Sequence, residues 1–101
     1  MKKYKLSSIV VSDIDEAMDY YNEEAFCLGA DFFYEFKKTL NFIASFPEIG
    51  VFHLRNIRKL SMRRIHHIVF YIYEKDIVHV LAIIHESRGL DYIETGLKDI
   101  Q

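Results

Sequence analysis

Residues 65–85 have the sequence IHHIVFYIYEKDIVHVLAIIH, and their pattern is the strongest indication of how the chain folds. Ile65–Tyr73 and Ile77–His85 are rich in β-branched and aromatic residues, which is typical of strands. Between them, residues 74–76 are short and polar, as expected of a tight turn. The stretch therefore predicts two antiparallel strands joined as a hairpin, and the rest of the fold must be built around this hairpin.

Two helical segments precede the hairpin. Asp13 and Glu16 have the spacing of a capping box, which predicts a helix that begins at Asp13, and Gly29 is expected to end it. A second helix is expected from about Asp31 to Pro47, because proline cannot continue a helix interior. The link between the helices is short, so they should pack as an antiparallel hairpin. Their apolar stripes are Ile14, Met18, Tyr21, Ala25 and Leu28 in the first helix, and Phe32, Phe33, Phe36, Leu40 and Ile43 in the second.

The remaining segments complete an α+β domain. Lys3–Ser8 alternates and predicts a first strand, and Val51–Met62 alternates and predicts another, with a break near Asn56. Residues 90–101 have the apolar spacing of a short C-terminal amphipathic helix. The order predicts a single domain over residues 1–101, in which a helical hairpin packs on a small antiparallel sheet in the order β-α-α-β-β-β.

Both faces of the predicted sheet are apolar. Ile68, Phe70 and Ile72 share one face, and Val69, Tyr71 and Tyr73 share the other. An antiparallel sheet covered by helices on one face is normally polar on the opposite face. The second face should therefore be covered either by the C-terminal tail or by a partner. The residues expected to need this cover include Val69, Leu81 and Ile83.

The charge distribution is uneven along the chain. Between Glu48 and Glu74 there is no acidic residue, although the whole chain has a net charge of −2. Such a positive segment attracts phosphates or an acidic protein segment. The alternative is a solvated sheet edge, where Lys and Arg prevent aggregation. The residues of this positive segment are Arg55, Arg58, Lys59, Arg63 and Arg64, with His53, His66 and His67.

Several classes of protein are not expected. The acidic composition excludes a general nucleic-acid binder, and no apolar run reaches the ~18 residues of a membrane span. The single Cys27 forms no intramolecular disulfide, which suits a reducing cytoplasm, and it is expected to be a small core residue. No signal peptide and no cofactor are expected. Adjacent His66 and His67 point to opposite faces of a strand, so no metal site is expected either.

The motifs of the chain resemble one family when they are taken in order. Residues 4–7 (YKLS), 13–17 (DIDEA) and 43–50 (IASFPEIG) are followed by Arg58 with Leu60. The most specific stretches come last, HIVFY at 67–71 and VLAIIHESR at 80–88. Over nearly the whole chain, this series resembles the RelE/ParE superfamily of bacterial toxins from type II toxin–antitoxin pairs. Its ending is more similar to the ParE branch than to the RelE branch.

The resemblance implies a toxin that inhibits DNA gyrase by binding and is neutralised by a cognate antitoxin in the cytoplasm. The alternative is a RelE-like endonuclease that cuts mRNA on the ribosome. A second alternative is an inactive family member that acts as a binding module. This second alternative is suggested by Gly89, which follows Arg88. At the position after this arginine, the family often has an Asp.

The candidate site is drawn from three neighbouring strands and the exit of the last one. If the helices cover the opposite face, His67, Tyr71 and His85 share one face. Two imidazoles and a phenol near arginines could deprotonate a 2′-hydroxyl and stabilise a pentavalent phosphate, whereas binding needs only a charged and aromatic surface. The expected antitoxin is acidic and partly disordered, and it should contact Val69, Leu81 and Ile83. The candidates for toxicity and target binding are Arg58, Arg64, His67, Tyr71, His85 and Arg88.

Overall fold

The structure is a computed structural model that describes residues 1–62 and 64–86. It confirms the α+β class, with two helices packed on one sheet. Among the described residues, no helix combines the length and the hydropathy that a membrane crossing requires. The helix expected within residues 90–101 lies outside the described part of the chain. The elements are β1 (Lys3–Leu6), α1 (Ser8–Glu24), α2 (Leu28–Ser45), β2 (Val51–Leu54), β3 (Ile57–Ser61), β4 (His67–Glu74) and β5 (Ile77–His85).

In the described part of the chain, the strands form one sheet in the order β1-β5-β4-β3-β2. β1 runs parallel to β5, and the other neighbours are antiparallel. The predicted hairpin is confirmed as β4–β5, and both Lys75 and Asp76 have the positive φ angles of a two-residue turn. The single strand predicted over Val51–Met62 is wrong. The break expected near Asn56 is a complete reversal, because β2 pairs antiparallel with β3.

The first helix begins at Ser8, well before the expected Asp13. Ser7 is its N-cap, and the Ser7 hydroxyl accepts the N–H of Val10 at 3.1 Å. The same hydroxyl donates to the carbonyl of Leu81 at 3.2 Å, and the Ser7 N–H donates to the carbonyl of Val80. Contacts with β5 therefore fix the start of α1, and the capping-box prediction is wrong.

The helical hairpin closes through a tight link. α2 begins directly after Cys27, whose left-handed φ of 64° turns the chain. The sequence predicted that Gly29 ends α1, and this prediction is wrong, because Gly29 lies inside α2. A Cβ on Gly29 would lie 2.6 Å from the backbone oxygen of Met18, so the glycine permits close approach of the helices. Cys27 is exposed at this link, and its prediction as a core residue is wrong.

The helices cover the sheet face that carries Val69 and Tyr71, which is the face expected to need other cover. Alternation along β5 is interrupted, because Phe70 lies opposite Ala82 whereas Tyr71 lies opposite Val80. Leu81 is thus the extra residue of a β-bulge, which moves the residues after it to the opposite face. As a result, Val80 and Ile83 both face the helices and belong to the same core. Without the bulge, strict alternation along β5 would place their side chains on opposite faces of the sheet. The main core comprises Val10, Ile14, Phe32, Phe36, Leu40, Ile43, Met62, Val69, Tyr71, Val78, Val80 and Ile83, and a second cluster on the other face comprises Ile57, Phe70, Ala82 and Ile84.

Candidate functional site

The predicted site residues occupy separate environments. His67 lies directly opposite His85 on β5, and Arg58 lies opposite Tyr71 on β4. His67 and Tyr71 are both on β4, but at the rise of a strand they are about 13 Å apart. Arg64 lies in the connection between β3 and β4. Arg88 lies outside the described residues, and the others do not form one site.

The first environment is an aromatic cluster around His67. This imidazole is buried, and its Nδ1 shares a hydrogen bond of 3.2 Å with the hydroxyl of Tyr21. Its ring lies edge-on to Phe32 at 5.1 Å and to His85 at 5.0 Å. Burial, followed by the nearby Tyr20, raises the pKa of Tyr21, so its hydroxyl keeps its proton. His67 thus fastens α1 and α2 to the end of the sheet.

The sequence did not predict that Tyr21 and Phe32 would join this cluster. The helical spacing of the sequence places both residues on the apolar stripes of their helices. Helical periodicity shows that a residue faces the core, but it does not show which strand residue lies opposite. Only the packing of the hairpin on the sheet brings Tyr21 and Phe32 to His67.

The second environment is the segment that leads from α2 into β2. Tyr71 is fully buried, and its hydroxyl donates to the carbonyl of Pro47 at 2.8 Å and accepts the N–H of Gly50 at 2.9 Å. Burial raises the pKa of Tyr71, although the Gly50 N–H and the Arg58 charge act in the opposite direction. The phenol is therefore a protonated structural anchor for this segment.

Arg58 holds the same segment from its other side. Its Nη1 donates to the carbonyl of Glu48 at 3.0 Å and to that of Gly50 at 2.8 Å. The guanidinium also lies 4.0 Å from the ring centroid of Phe52, in a cation–π contact. Both hydrogen bonds of Nη1 and one face of the guanidinium are thus used within the fold, so Arg58 is less available to a ligand than an exposed arginine.

The third environment is exposed. The side chain of Arg64 is 80% accessible, and its Nη1 lies 4.0 Å from Oε1 of the buried Glu35 on α2. Lys38 lies 3.6 Å from the same oxygen. Glu35 was not predicted from the sequence, but a signal existed, because it lies one turn after Phe32 on the apolar stripe. Of the described candidates, Arg64 is the arginine best placed to meet a partner from solvent.

The three residues predicted to contact an antitoxin are placed differently from one another. Val69 and Ile83 are buried in the core beneath the helices. Leu81, the bulge residue, is partly buried and packs with the cluster on the opposite face. Of these three residues, Leu81 is therefore the one whose side chain is partly accessible to a partner.

Other residues of the positive segment lie on β2, on β3 and at the turn between them. Arg55 lies at the turn between β2 and β3, and Lys59 lies on β3. His53 packs its ring on Phe70 at 5.3 Å, and the described residues offer no hydrogen-bond partner for its buried Nε2. Within residues 1–62 and 64–86, no group of His, Cys, Asp and Glu side chains is arranged to hold a metal ion.

Solved structures share this architecture. A chain of the chromosomal ParDE toxin–antitoxin system from P. aeruginosa superposes with a TM-score of 0.70 and 14% identity, over 84% of this chain and 96% of that one. The isolated RelE toxin of E. coli superposes with a TM-score of 0.65 and 17% identity, over 100% of both chains. At these identities, the likeness shows the fold alone.

The sequence comparisons are more specific. No curated protein sequence matches the chain. The family model described as the ParE toxin of the type II toxin–antitoxin system parDE matches residues 4–90. A match over most of the length identifies the family, and the strand, helical hairpin and sheet described above lie almost entirely within it. The chain therefore belongs to the ParE family of toxins from type II toxin–antitoxin systems.

Proposed function

We propose that this ParE-family chain inhibits DNA gyrase by binding to it and that a cognate antitoxin neutralises it. The ParE-like ending of the sequence motivates the choice of gyrase. The observation that carries the choice of binding over catalysis is that Tyr71 and His67, two of the three candidates for acid or base, are buried and hydrogen-bonded within the fold. A protein–protein inhibitor needs an accessible charged and apolar surface, and the chain has one.

An endonuclease would need an accessible base beside the 2′-hydroxyl and donors beside the phosphate. The hydroxyl of Tyr71 is fully buried and already both donates and accepts a hydrogen bond. His67 is buried, and its Nδ1 is engaged with Tyr21. Either group would have to leave the core to reach RNA, at a cost to folding. These contacts favour a binding function.

The charge of the chain also favours a specific protein target. Phosphate contacts dominate RNA affinity, yet the chain has a net charge of −2. Five of its 13 Lys and Arg residues lie between Glu48 and Glu74, where no acidic residue offsets them, and Arg55 and Arg64 are exposed there. A local positive patch on a protein of net negative charge favours binding to one complementary protein surface over general attraction to nucleic acid.

A supercoiling assay with purified gyrase tests the proposal. We expect micromolar wild-type protein to inhibit supercoiling, and Arg64→Ala and Arg88→Ala to weaken the inhibition by about tenfold or more. Lys3→Ala is the control, because it removes an exposed cation at the opposite edge of the sheet. Each variant is first checked for native melting.

Absence of inhibition by folded wild-type protein would overturn the gyrase proposal. Primer extension on mRNA from translating cells would then distinguish the alternatives. Cuts in phase with codons would establish a RelE-like endonuclease, whereas normal growth on overexpression without cuts would establish an inactive binding module.

A further inference from the structure

The two edges of the sheet differ in their protection. β1, at one edge, has the sequence KYKL, and both of its lysines are exposed. β2, at the other edge, has the sequence VFHL with no Lys, Arg, Asp or Glu, and Val51 and Phe52 are 61% and 62% exposed. Native proteins commonly place lysines on edge strands to prevent pairing with other chains. By this criterion, within the part of the chain that the structure describes, β1 is protected and β2 is open to an added strand.

Exposed apolar side chains extend from β2 into the end of α2. The rings of Phe42 and Phe46 are 5.4 Å apart, and the carbonyl of Phe46 accepts the N–H of Ile49 at 3.0 Å. All three side chains are exposed. Single exposed apolar residues are normal, but a group beside an open edge indicates a docking surface. We call Phe42, Phe46, Ile49, Val51 and Phe52 the β2 surface.

Arg58 holds the β2 surface in place. It binds the carbonyls on both sides of Ile49, those of Glu48 and Gly50, and its guanidinium packs on Phe52. The apolar side chains are thus presented by an ordered backbone. A preformed surface of this kind loses less entropy when a partner binds.

The charge next to the β2 surface is positive. Arg55 is exposed at the adjacent turn, and Lys59 pairs with Val51 across β2 and β3. Glu48 is the only acidic residue between residues 42 and 73. The surface therefore combines an open strand, apolar side chains and cations, and it is complementary to an extended segment that alternates apolar and acidic residues.

We propose that β2 binds an extended acidic segment of the antitoxin as an added strand. Main-chain hydrogen bonds to β2 would supply affinity, and alternate side chains would contact the β2 surface. Carboxylates on the segment would lie near Arg55 and Lys59. This inference rests on the proposed function and names the surface through which the antitoxin is recognised.

Two other occupants fit less well. A second copy of the chain, paired antiparallel through its own β2, would bring its Arg55 towards Lys59 of the first copy, which lies beside Val51, and this approach of like charges is unfavourable. A nucleic acid would use the cations but would leave Val51 and Phe52 without an apolar partner.

Hydrogen exchange tests the proposal on the full-length toxin with its cognate antitoxin. We expect binding to slow exchange in residues 51–54 by about tenfold or more, and to leave β1 unchanged. A complex that forms without this protection would overturn the inference and leave the proposed neutralisation intact. Failure to form any complex would instead contradict the proposed function. Protection that increases with toxin concentration alone would identify a second copy as the occupant and overturn the inference.

A matched pair of charge reversals provides an independent test. The double variant Arg55→Glu with Lys59→Glu should bind the antitoxin roughly tenfold more weakly, because it repels an acidic segment. The control, Lys3→Glu with Lys5→Glu, makes the same change of charge on β1 at the opposite edge. It should alter the Kd by about twofold at most. Equal effects of the two pairs, in variants that melt like the wild type, would overturn the inference.

Discussion

The hydroxyl of Tyr71 accepts the backbone N–H of Gly50 at 2.9 Å, and this buried contact joins β4 to the residue that precedes β2. The same hydroxyl donates to Pro47, so one side chain of β4 fixes both ends of the segment between α2 and β2. A Cβ on Gly50 would lie 2.6 Å from this oxygen. The open edge strand is thus positioned from within the core.

Tyr71→Phe should destabilise the protein by about 1–3 kcal/mol, because it leaves the Gly50 N–H and the Pro47 carbonyl without their buried partner. Urea denaturation measures the change. Tyr73→Phe is the matched control, since it removes a hydroxyl that contacts Asp76 at an exposed position. It should cost less than about 0.5 kcal/mol. Equal costs for the two variants would refute the anchoring role.

Gly50→Ala should destabilise the protein by about 1–3 kcal/mol, because the added methyl group overlaps the ring of Tyr71. The substitution should be partly compensated in a double variant with Tyr71→Phe, which removes the nearest atom. A double-mutant cycle measures this coupling. Strict additivity would show that the two residues do not interact as described.

Ser7→Ala should cost about 1 kcal/mol, since it removes the N-cap of α1 and the bond to the carbonyl of Leu81. Ser8→Ala is its control, because Ser8 is exposed in the first turn of the same helix. Thermal melting compares the two variants. A larger loss for Ser8→Ala would contradict the assignment of the cap.

Arg58→Ala should cost about 1–3 kcal/mol of stability, because Arg58 binds two backbone carbonyls and packs on Phe52. Arg55→Ala, at the exposed turn, should change stability by less than about 0.5 kcal/mol. Chemical denaturation of both variants checks this. A toxicity defect of Arg58→Ala should therefore include a contribution from lost stability, and an unaltered midpoint would disprove this contribution.

Alkaline pH should weaken the fold through Tyr71. Burial holds its pKa above the ordinary value of 10.0, so its contribution to stability is complete below pH 10 and is lost as pH rises through the pKa of the folded state. The free energy of unfolding should fall above pH 10, and Tyr71→Phe should show a shallower decline than the wild type. Tyr21, whose pKa is also raised, should account for part of the remaining decline. Identical slopes for the two proteins would contradict the prediction.

The best predictions came from elements with a strong local signal. The strand predicted at Ile77–His85 is confirmed at both ends, and Pro47 marks the end of α2 as expected. The start of α1 was missed because Ser7 gains its advantage from Leu81, which is distant in sequence. A capping pattern records only neighbouring residues, whereas the actual cap depends on a contact with another strand.

The candidate site was predicted less well, because residue type does not determine whether a side chain is available. Tyr71 and His67 have the chemistry of an acid–base pair, but both are buried and bonded within the fold. Arg64, predicted as a candidate for target binding, lies in a connection between strands, and its side chain is exposed. The β2 surface was not predicted, because Val51 and Phe52 look like ordinary strand residues until their strand is known to lie at an edge.

Residue order, periodicity and charge were sufficient to predict the α+β class, the ParE resemblance and the positive segment. Which face of the sheet the helices cover could be read only from the packing of the folded chain. Both faces are apolar, so alternation separates the two sets of residues without showing which set is inside. The bulge at Leu81 and the edge position of β2 follow from strand pairing, which is a relationship between distant segments and leaves no local pattern.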